Sequence, residues 1–184
     1  MSDRPGSLLA DVAPLFRGRR LAIELGSGDG ALILDHAGSF DRVRGVEASA
    51  PLREQMARAA AAAGITNAEA MDLAEPWEEP TGAADYVIVP SLFPTIQDPV
   101  ELASYIQRIS MVLVRGGIVQ ARFDTRPRTV ASQLAERMPN VVGSGRVFRR
   151  REEWVRDRMR GADLEIIGER GGETAEHWVV ARRR

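Results

Sequence analysis

Short apolar runs alternate with longer segments of helical spacing along most of the chain, a pattern of strands interleaved with helices. Residues 7–16 carry apolar positions at helical spacing, with Ser7 placed to cap the first turn and Pro14 limiting the length. This segment belongs to an N-terminal helical extension, residues 1–20, expected to pad the edge of a sheet. Leu21 to Leu25 reads as a buried first strand, and a glycine-rich turn follows it. A helix is expected from Ala31 to about Gly38, with Gly38 as its stop and His36 near the negative end of its dipole. Arg42 to Glu47 alternates and reads as the second strand. Pro51 to Ala63 is the next helix, ended by Gly64. A third strand is expected over Ile65 to Met71, running out at Asp72-Leu73. Residues 74–83 hold Pro76, Pro80 and Gly82 and read as a loop, with Trp77 anchored in the core.

Asp85 to Val89 is the most apolar strand and ends at Pro90-Ser91-Leu92-Phe93-Pro94. Asp98 caps a helix that Pro99 opens and that runs to about Leu113. Arg115-Gly116-Gly117 is expected to turn the chain into a fifth strand, Ile118 to Phe123. In the region 124–160, Thr129 to Met138 reads as helix, Pro139 to Arg146 as loop and Arg149 to Arg160 as a basic helix holding Trp154. Leu164 to Arg170 and Glu176 to Ala181 form an antiparallel hairpin around Gly171-Gly172, and Arg182 to Arg184 reads as a solvated tail.

The stretch Glu24-Leu25-Gly26-Ser27-Gly28-Asp29-Gly30 carries the clearest chemistry. A strand, a glycine turn and a helix make the first half of a nucleotide-binding βαβ unit. Gly26 turns the chain off the strand, Gly28 lets backbone approach a ligand, and Gly30 permits close helix packing. Spacing alone fits two patterns. Gly26-x-Gly28-x-x-Ala31 matches the dinucleotide fingerprint, and the same residues match Glu-x-Gly-x-Gly-x-Gly. Charge separates them: Glu24 and Asp29 would oppose a pyrophosphate, which needs bare backbone donors. They suit a ligand bearing an ammonium or sulfonium. Glu47 ends the second strand about 20 residues past the first glycine. A carboxylate there can accept two hydrogen bonds from ribose hydroxyls.

Composition narrows the class. The chain has 184 residues, enough for one domain with a sizeable core. It has no cysteine, which removes disulfides, a thiol nucleophile and cysteine metal sites. No signal pattern opens the chain and no apolar run reaches membrane length, so the expected location is cytoplasmic, with no membrane partner. The net charge of −1 is unevenly spread, with 8 Arg against 15 acids in residues 1–100 and 17 Arg against 11 acids thereafter. All 25 basic residues are Arg. The second half could face an anionic acceptor. The interleaved Glu152, Glu153 and Asp157 instead favour an ordinary salt-bridged surface helix over nucleic-acid binding at Arg146 to Arg160.

The glycine turn, Glu47, Asp72, the strand–helix alternation and the closing hairpin together resemble the class I S-adenosylmethionine (SAM)-dependent methyltransferases, from Leu21 to Ala181. The resemblance implies a three-layer α/β/α sandwich on a seven-stranded, mostly parallel sheet of order 3-2-1-4-5-7-6, with strand 7 antiparallel. It implies SAM as cofactor and S-adenosylhomocysteine as product. The expected cofactor residues are Glu24, Gly26, Ser27, Gly28 and Gly30 at the turn, Glu47 and Ala48 at the ribose and adenine edge, Asp72 and Leu73 at the adenine, and Pro90 beside the transferred methyl. Phe93, Asp124 and Arg126 are expected in the acceptor pocket by their place after strands 4 and 5. The Asn/Asp-Pro-Pro-aromatic motif of enzymes that methylate base amines is missing after Val89, which argues against nucleic-acid amine methylation without excluding other nucleic-acid targets; a small-molecule acceptor is the favoured reading. RNA or protein methylation and a non-catalytic SAM-binding role are the alternatives. His177 reads as structural, no metal set is evident, and no catalytic base is assigned.

Overall fold

The computed structural model describes residues 11–77, 80–125, 147–171 and 176–184. Seven strands, β1 (Leu21–Leu25), β2 (Arg42–Glu47), β3 (Ala68–Asp72), β4 (Ala84–Val89), β5 (Leu113–Asp124), β6 (Leu164–Arg170) and β7 (Glu176–Arg183), form one sheet of order β3-β2-β1-β4-β5-β7-β6. Strands β1 to β5 pair in parallel, and β7 runs antiparallel to both β5 and β6. This is the expected order. The helices are α1 (Ala31–Asp35), α2 (Ala50–Ala62), α3 (Pro99–Val112) and α4 (Glu152–Gly161).

Two apolar clusters, one on each face, explain the layering. One joins Ala22, Val43, Tyr86, Ile88 and Ile118 of the sheet to Ile33 of α1, Met56 of α2 and Val12 of the N-terminal segment. The other joins Ile23, Val46, Val87, Val119 and Val179 to Leu102, Ile106 and Ile109 of α3 and Val155 and Met159 of α4. Strand residues alternate between faces, so strands buried on both sides are mostly apolar, as β1 is apart from Glu24 and β4 apart from Asp85. Trp77 is fully buried in the second cluster, stacked on Tyr105 with the Arg108 guanidinium 4.8 Å from its ring.

Several element boundaries differ from expectation. The first helix ends at Asp35, and Gly38 lies in a 3-10 turn, Ala37–Ser39, rather than at a helix stop. His36 is buried and stacked on Tyr86, and burial lowers its pKa. The third strand starts at Ala68, after Asn67 has turned its side-chain amide to the carbonyls of Ala37 and Phe40. The Gly116-Gly117 pair lies inside β5, which already pairs at Leu113 with Ala84, and the register shifts before Ile118 meets Tyr86. It is a bulge in a strand, not a turn before one. The last strand runs on to Arg183, whose guanidinium donates to the Leu113 carbonyl, so Arg182 and Arg183 are sheet rather than free tail. The region of residues 13–15 is a 3-10 turn. The readings that place Ser7 as a cap, a helix at Thr129 to Met138, a loop at Pro139 to Arg146 and Arg126 in a pocket lie outside the described residues. Among the described residues no helix is long and apolar enough to cross a membrane.

Candidate functional site

The strand order reverses at β1, which has β2 on one side and β4 on the other. In open α/β sheets such a switch point leaves a crevice beyond the carboxyl ends of the strands. The glycine turn fills this position. The N–H groups of Gly26 and Ser27 both donate to the Val46 carbonyl, at 2.8 and 3.2 Å, which fastens the turn to β2. Gly28 has φ +56°, and a Cβ built on it would meet nothing within 4 Å, so its backbone faces open space. At Gly30, φ is +82° and a Cβ would lie 2.3 Å from Met56 Cγ. The third glycine therefore allows α2, rather than the sheet, to pack against the turn.

Glu47 ties the turn to the end of β2. One carboxylate oxygen accepts the Gly28 N–H at 3.0 Å and the other accepts the Ser49 N–H at 2.9 Å. Each oxygen has a second lone-pair direction left for a ligand hydroxyl. Ala48 beside it is exposed. Asp72 is in register with Glu47 across β2 and β3. Its carboxylate accepts the Ala74 N–H at 3.0 Å and pairs with Arg53 at 2.8 Å. Leu73 is half-buried against the core.

Arg53 was not anticipated. Its guanidinium also donates to the carbonyls of Glu47 and Ala48, at 2.7 and 2.8 Å, and so joins the ends of β2 and β3 from α2. A signal was present: a cation in the first turns of a helix opposes the dipole, so a local reason for it should exist. Leu92 was missed too. Its Cβ lies 3.0 Å from where a Gly26 side chain would begin, so the loop after β4 rests on the turn. That loop starts at Pro90, which is half-buried at the carboxyl end of β4.

Glu24 lies on β1 facing α1 and is only 2% exposed. Burial raises its pKa from 4.5 to about 8, with Asp29 and Glu47 adding to the rise and an interaction with the Ile33 backbone N–H offsetting part of it. Its Oε2 and the Ser27 hydroxyl are buried with no hydrogen-bond partner among the described residues. Tyr86, on the same face, donates to Gln120 at 2.8 Å.

Of the expected acceptor residues, Phe93 is 1% exposed and packs on Phe123 at 5.1 Å between ring centroids. It supports the loop after β4 from within the core. Asp124 ends β5, and burial raises its pKa. Its Oδ1 is 3.8 Å from Arg122 Nε, outside hydrogen-bond reach. His177 is buried, with Nε2 3.6 Å from Glu169. A cavity of about 260 Å³ lined by Val12, Leu15, Gln120, Trp178 and Val180 lies elsewhere, between the N-terminal segment and β5–β7. Among the described residues no cluster of His, Asp and Glu could hold a metal.

No family model matches the chain, and no curated protein matches it in sequence. Solved structures match it in fold. Magnesium protoporphyrin IX methyltransferase from Synechocystis PCC 6803, with bound S-adenosylhomocysteine, superposes with a TM-score of 0.76 at 16% identity over 98% of this chain and 82% of that one. A SAM-dependent methyltransferase from Methanosarcina mazei gives 0.75 at 13% identity over 94% and 96%. Geranyl diphosphate C-methyltransferase from Streptomyces coelicolor A3(2) gives 0.72 at 13% identity over 97% and 77%. The chain has the fold of class I SAM-dependent methyltransferases.

Proposed function

We propose that this protein is a SAM-dependent methyltransferase acting on a small-molecule acceptor, its 184 residues forming one methyltransferase domain. The observation that carries the reading is the glycine turn at the switch point, with Glu47 fastened to Gly28 and spare acceptor capacity facing the open cradle. A dinucleotide's pyrophosphate would meet Asp29 and Glu47 there. The adenosine of SAM fits better: Glu47 accepts the ribose hydroxyls, Ala48, Asp72 and Leu73 line the adenine, and the backbone of Gly26 to Gly30, with Glu24 and Ser27 beneath, holds the methionyl end. Pro90 stands beside the methyl group. Arg53 already engages Asp72, so Asp72 acts on adenine as half of an ion pair.

Bound SAM would supply a methyl group activated by its sulfonium charge, open to in-line displacement. The chain's task is alignment and water exclusion, which can supply about 7–11 kcal/mol. The turn fixes one end of the donor, and the loop from Pro90, resting on Gly26 through Leu92, closes over the other. Asp124 faces the acceptor from the end of β5, within an acceptor-side region of residues 124–160. The small-molecule reading draws support from the neighbours whose names give a porphyrin and a geranyl diphosphate as acceptors. Nucleic acid is less favoured because arginines of α4 already have carboxylate partners, Arg156 with Glu152 and Glu169, and Arg160 with Asp157.

Titration calorimetry with SAM and S-adenosylhomocysteine tests the cofactor. Micromolar binding of both is expected, and Glu47→Ala should weaken it roughly 10- to 100-fold, the cost of losing hydrogen bonds to a charged acceptor. No heat with either ligand at high micromolar concentration would sink the proposal. A methyl-transfer screen with labelled SAM over small-molecule, peptide and RNA pools then identifies the acceptor. Labelling confined to RNA or peptide would overturn the small-molecule assignment, and SAM binding without transfer would make the chain a SAM-binding protein.

A further inference from the structure

The carboxyl of Glu24 is buried at the turn, and among the described residues its Oε2 has no hydrogen-bond partner. Its surroundings are specific. In the sheet Glu24 stands opposite Gly45 on β2 and Ile88 on β4. Gly45 leaves its place in that row empty, and the space is taken by the Ser27 hydroxyl and the Met56 thioether: a Cβ on Gly45 would lie 2.8 Å from Ser27 Oγ and 2.5 Å from Met56 Sδ. Two unpartnered polar groups, Glu24 Oε2 and Ser27 Oγ, thus form the floor of the turn whose Gly28 backbone opens outward. A buried unpartnered carboxylate is costly, and the protein avoids the cost only by neutralising it or by bringing a cation to it.

The groups around Glu24 decide between these. They are Asp29 just before α1, Glu47 on β2 and, on β4, the hydroxyl of Tyr86, which donates to Gln120 of β5 and whose ring stacks on His36 just after α1. From α2, the apolar side chain of Met56 reaches the row. Arg53 of α2 is held by Asp72, and Arg44 of β2 points to the other face, where it meets Glu69 and the Trp77 carbonyl. No guanidinium faces the carboxyl among these elements, and two of the neighbours are acids. Resting on the SAM reading above, we infer that Glu24 is the neutral acid in the free protein and releases its proton to solvent when the cationic methionyl end of the cofactor binds, leaving a carboxylate as the counter-charge of the bound ligand. The O–H bond of the carboxyl breaks, the proton goes to buffer, and the ligand keeps its own charge. Glu24 then selects for a cation at the turn and links cofactor affinity to pH. The raised pKa agrees with this geometry, since a group at about 8 is mostly protonated at neutral pH.

The test is calorimetric titration of the whole chain with SAM in phosphate and in Tris at pH 7.0. These buffers differ in ionisation enthalpy, so a released proton appears as a difference in heat. Close to one proton released per ligand is expected, with affinity rising about tenfold per unit between pH 6 and 7.5, the slope of one coupled proton. S-adenosylhomocysteine, which keeps the ammonium and lacks the sulfonium, assigns the partner: release with both ligands points to the ammonium, and release with SAM alone to the sulfonium. Glu24→Gln should abolish the buffer dependence and flatten the pH slope while weak binding persists. Equal heats in both buffers, with SAM bound, would overturn the inference and leave the cofactor reading standing. Proton release that survives in Glu24→Gln would assign it to another group and overturn it too. Absence of binding by either ligand would remove both readings. Should the variant not fold, the two-buffer experiment on the native chain decides alone.

Discussion

The buried acid Glu24 makes one contribution to stability depend on pH. The folded-state pKa of Glu24 lies above its value of 4.5 in an unfolded chain, so the fold is favoured by the protonated form. That contribution is fully present below about pH 4.5 and is lost as pH rises through about 8. Glu24→Gln keeps the shape without the charge. It should therefore leave stability little changed at pH 5 and raise it by about 2–3 kcal/mol more at pH 9 than at pH 6, from one pKa unit being about 1.4 kcal/mol. Urea unfolding at pH 6 and pH 9 measures this, and an equal effect at both would show that Glu24 is not the titrating group. The motif around Glu24 was legible because its glycines and acids are adjacent in sequence. The burial of Glu24 was not, since it depends on α1 packing over the face of β1 that Glu24 occupies. A reading of charges along the chain counts Glu24 as an anion; packing makes it a neutral acid. Arg53 escaped for a related reason: its partners on β2 and β3 become neighbours only when those strands pair in register.

At the scale of elements, strand order and helix placement followed from apolar runs and their caps. Asp98 accepts the Val100 N–H at 2.8 Å, and Gly64 takes φ +66° just past α2, as the caps suggested. What misled was glycine read as punctuation. Gly38 and Gly117 both looked like turn signals, but they meet different constraints. A Cβ on Gly38 would touch nothing within 4 Å, while one on Gly117 would lie 2.9 Å from the Val114 carbonyl oxygen and 3.2 Å from that of Ala84. Backbone oxygens in a paired strand cannot move aside as a side chain would. Gly117→Ala is expected to cost about 1–3 kcal/mol, as overpacking does. Gly38→Ala should be neutral or stabilise by about 0.4–1 kcal/mol, through the entropy of the unfolded chain. Thermal unfolding of the two variants side by side would reveal the contrast, and equal losses would contradict the bulge as the reason for Gly117.

Over the whole molecule, the uneven charge along the sequence becomes a lateral division of the sheet. The acid-rich first 100 residues supply β3, β2, β1 and β4, and the arginine-rich remainder supplies β5, β7 and β6. The two halves meet at the seam between β4 and β5, and residues 147–150 tie that seam from above. The Phe148 N–H donates to the Pro94 carbonyl at 2.7 Å, and the Arg150 N–H to that of Asp124 at 2.8 Å. The Arg150 guanidinium donates to the carbonyls of Ile96 and Gln97 at 2.6 and 2.8 Å and lies 5.8 Å from the ring of Trp154 on α4. One arginine thus joins the loop after β4, the end of β5 and the last helix. Nothing in its sequence neighbourhood, Arg149-Arg150-Arg151, distinguishes it from its flanking arginines. Arg150→Met keeps much of the aliphatic stem and removes both charge-assisted hydrogen bonds. It should lower stability by about 2–3 kcal/mol. If the two halves unfold together, the urea midpoint falls with an unchanged slope. Amide exchange should quicken across residues 93–97 well before it does in β1, because the loop loses its tether while the sheet keeps its ladder. A variant as stable as the native chain, with exchange unaltered in that loop, would show that the seam is held by the sheet alone.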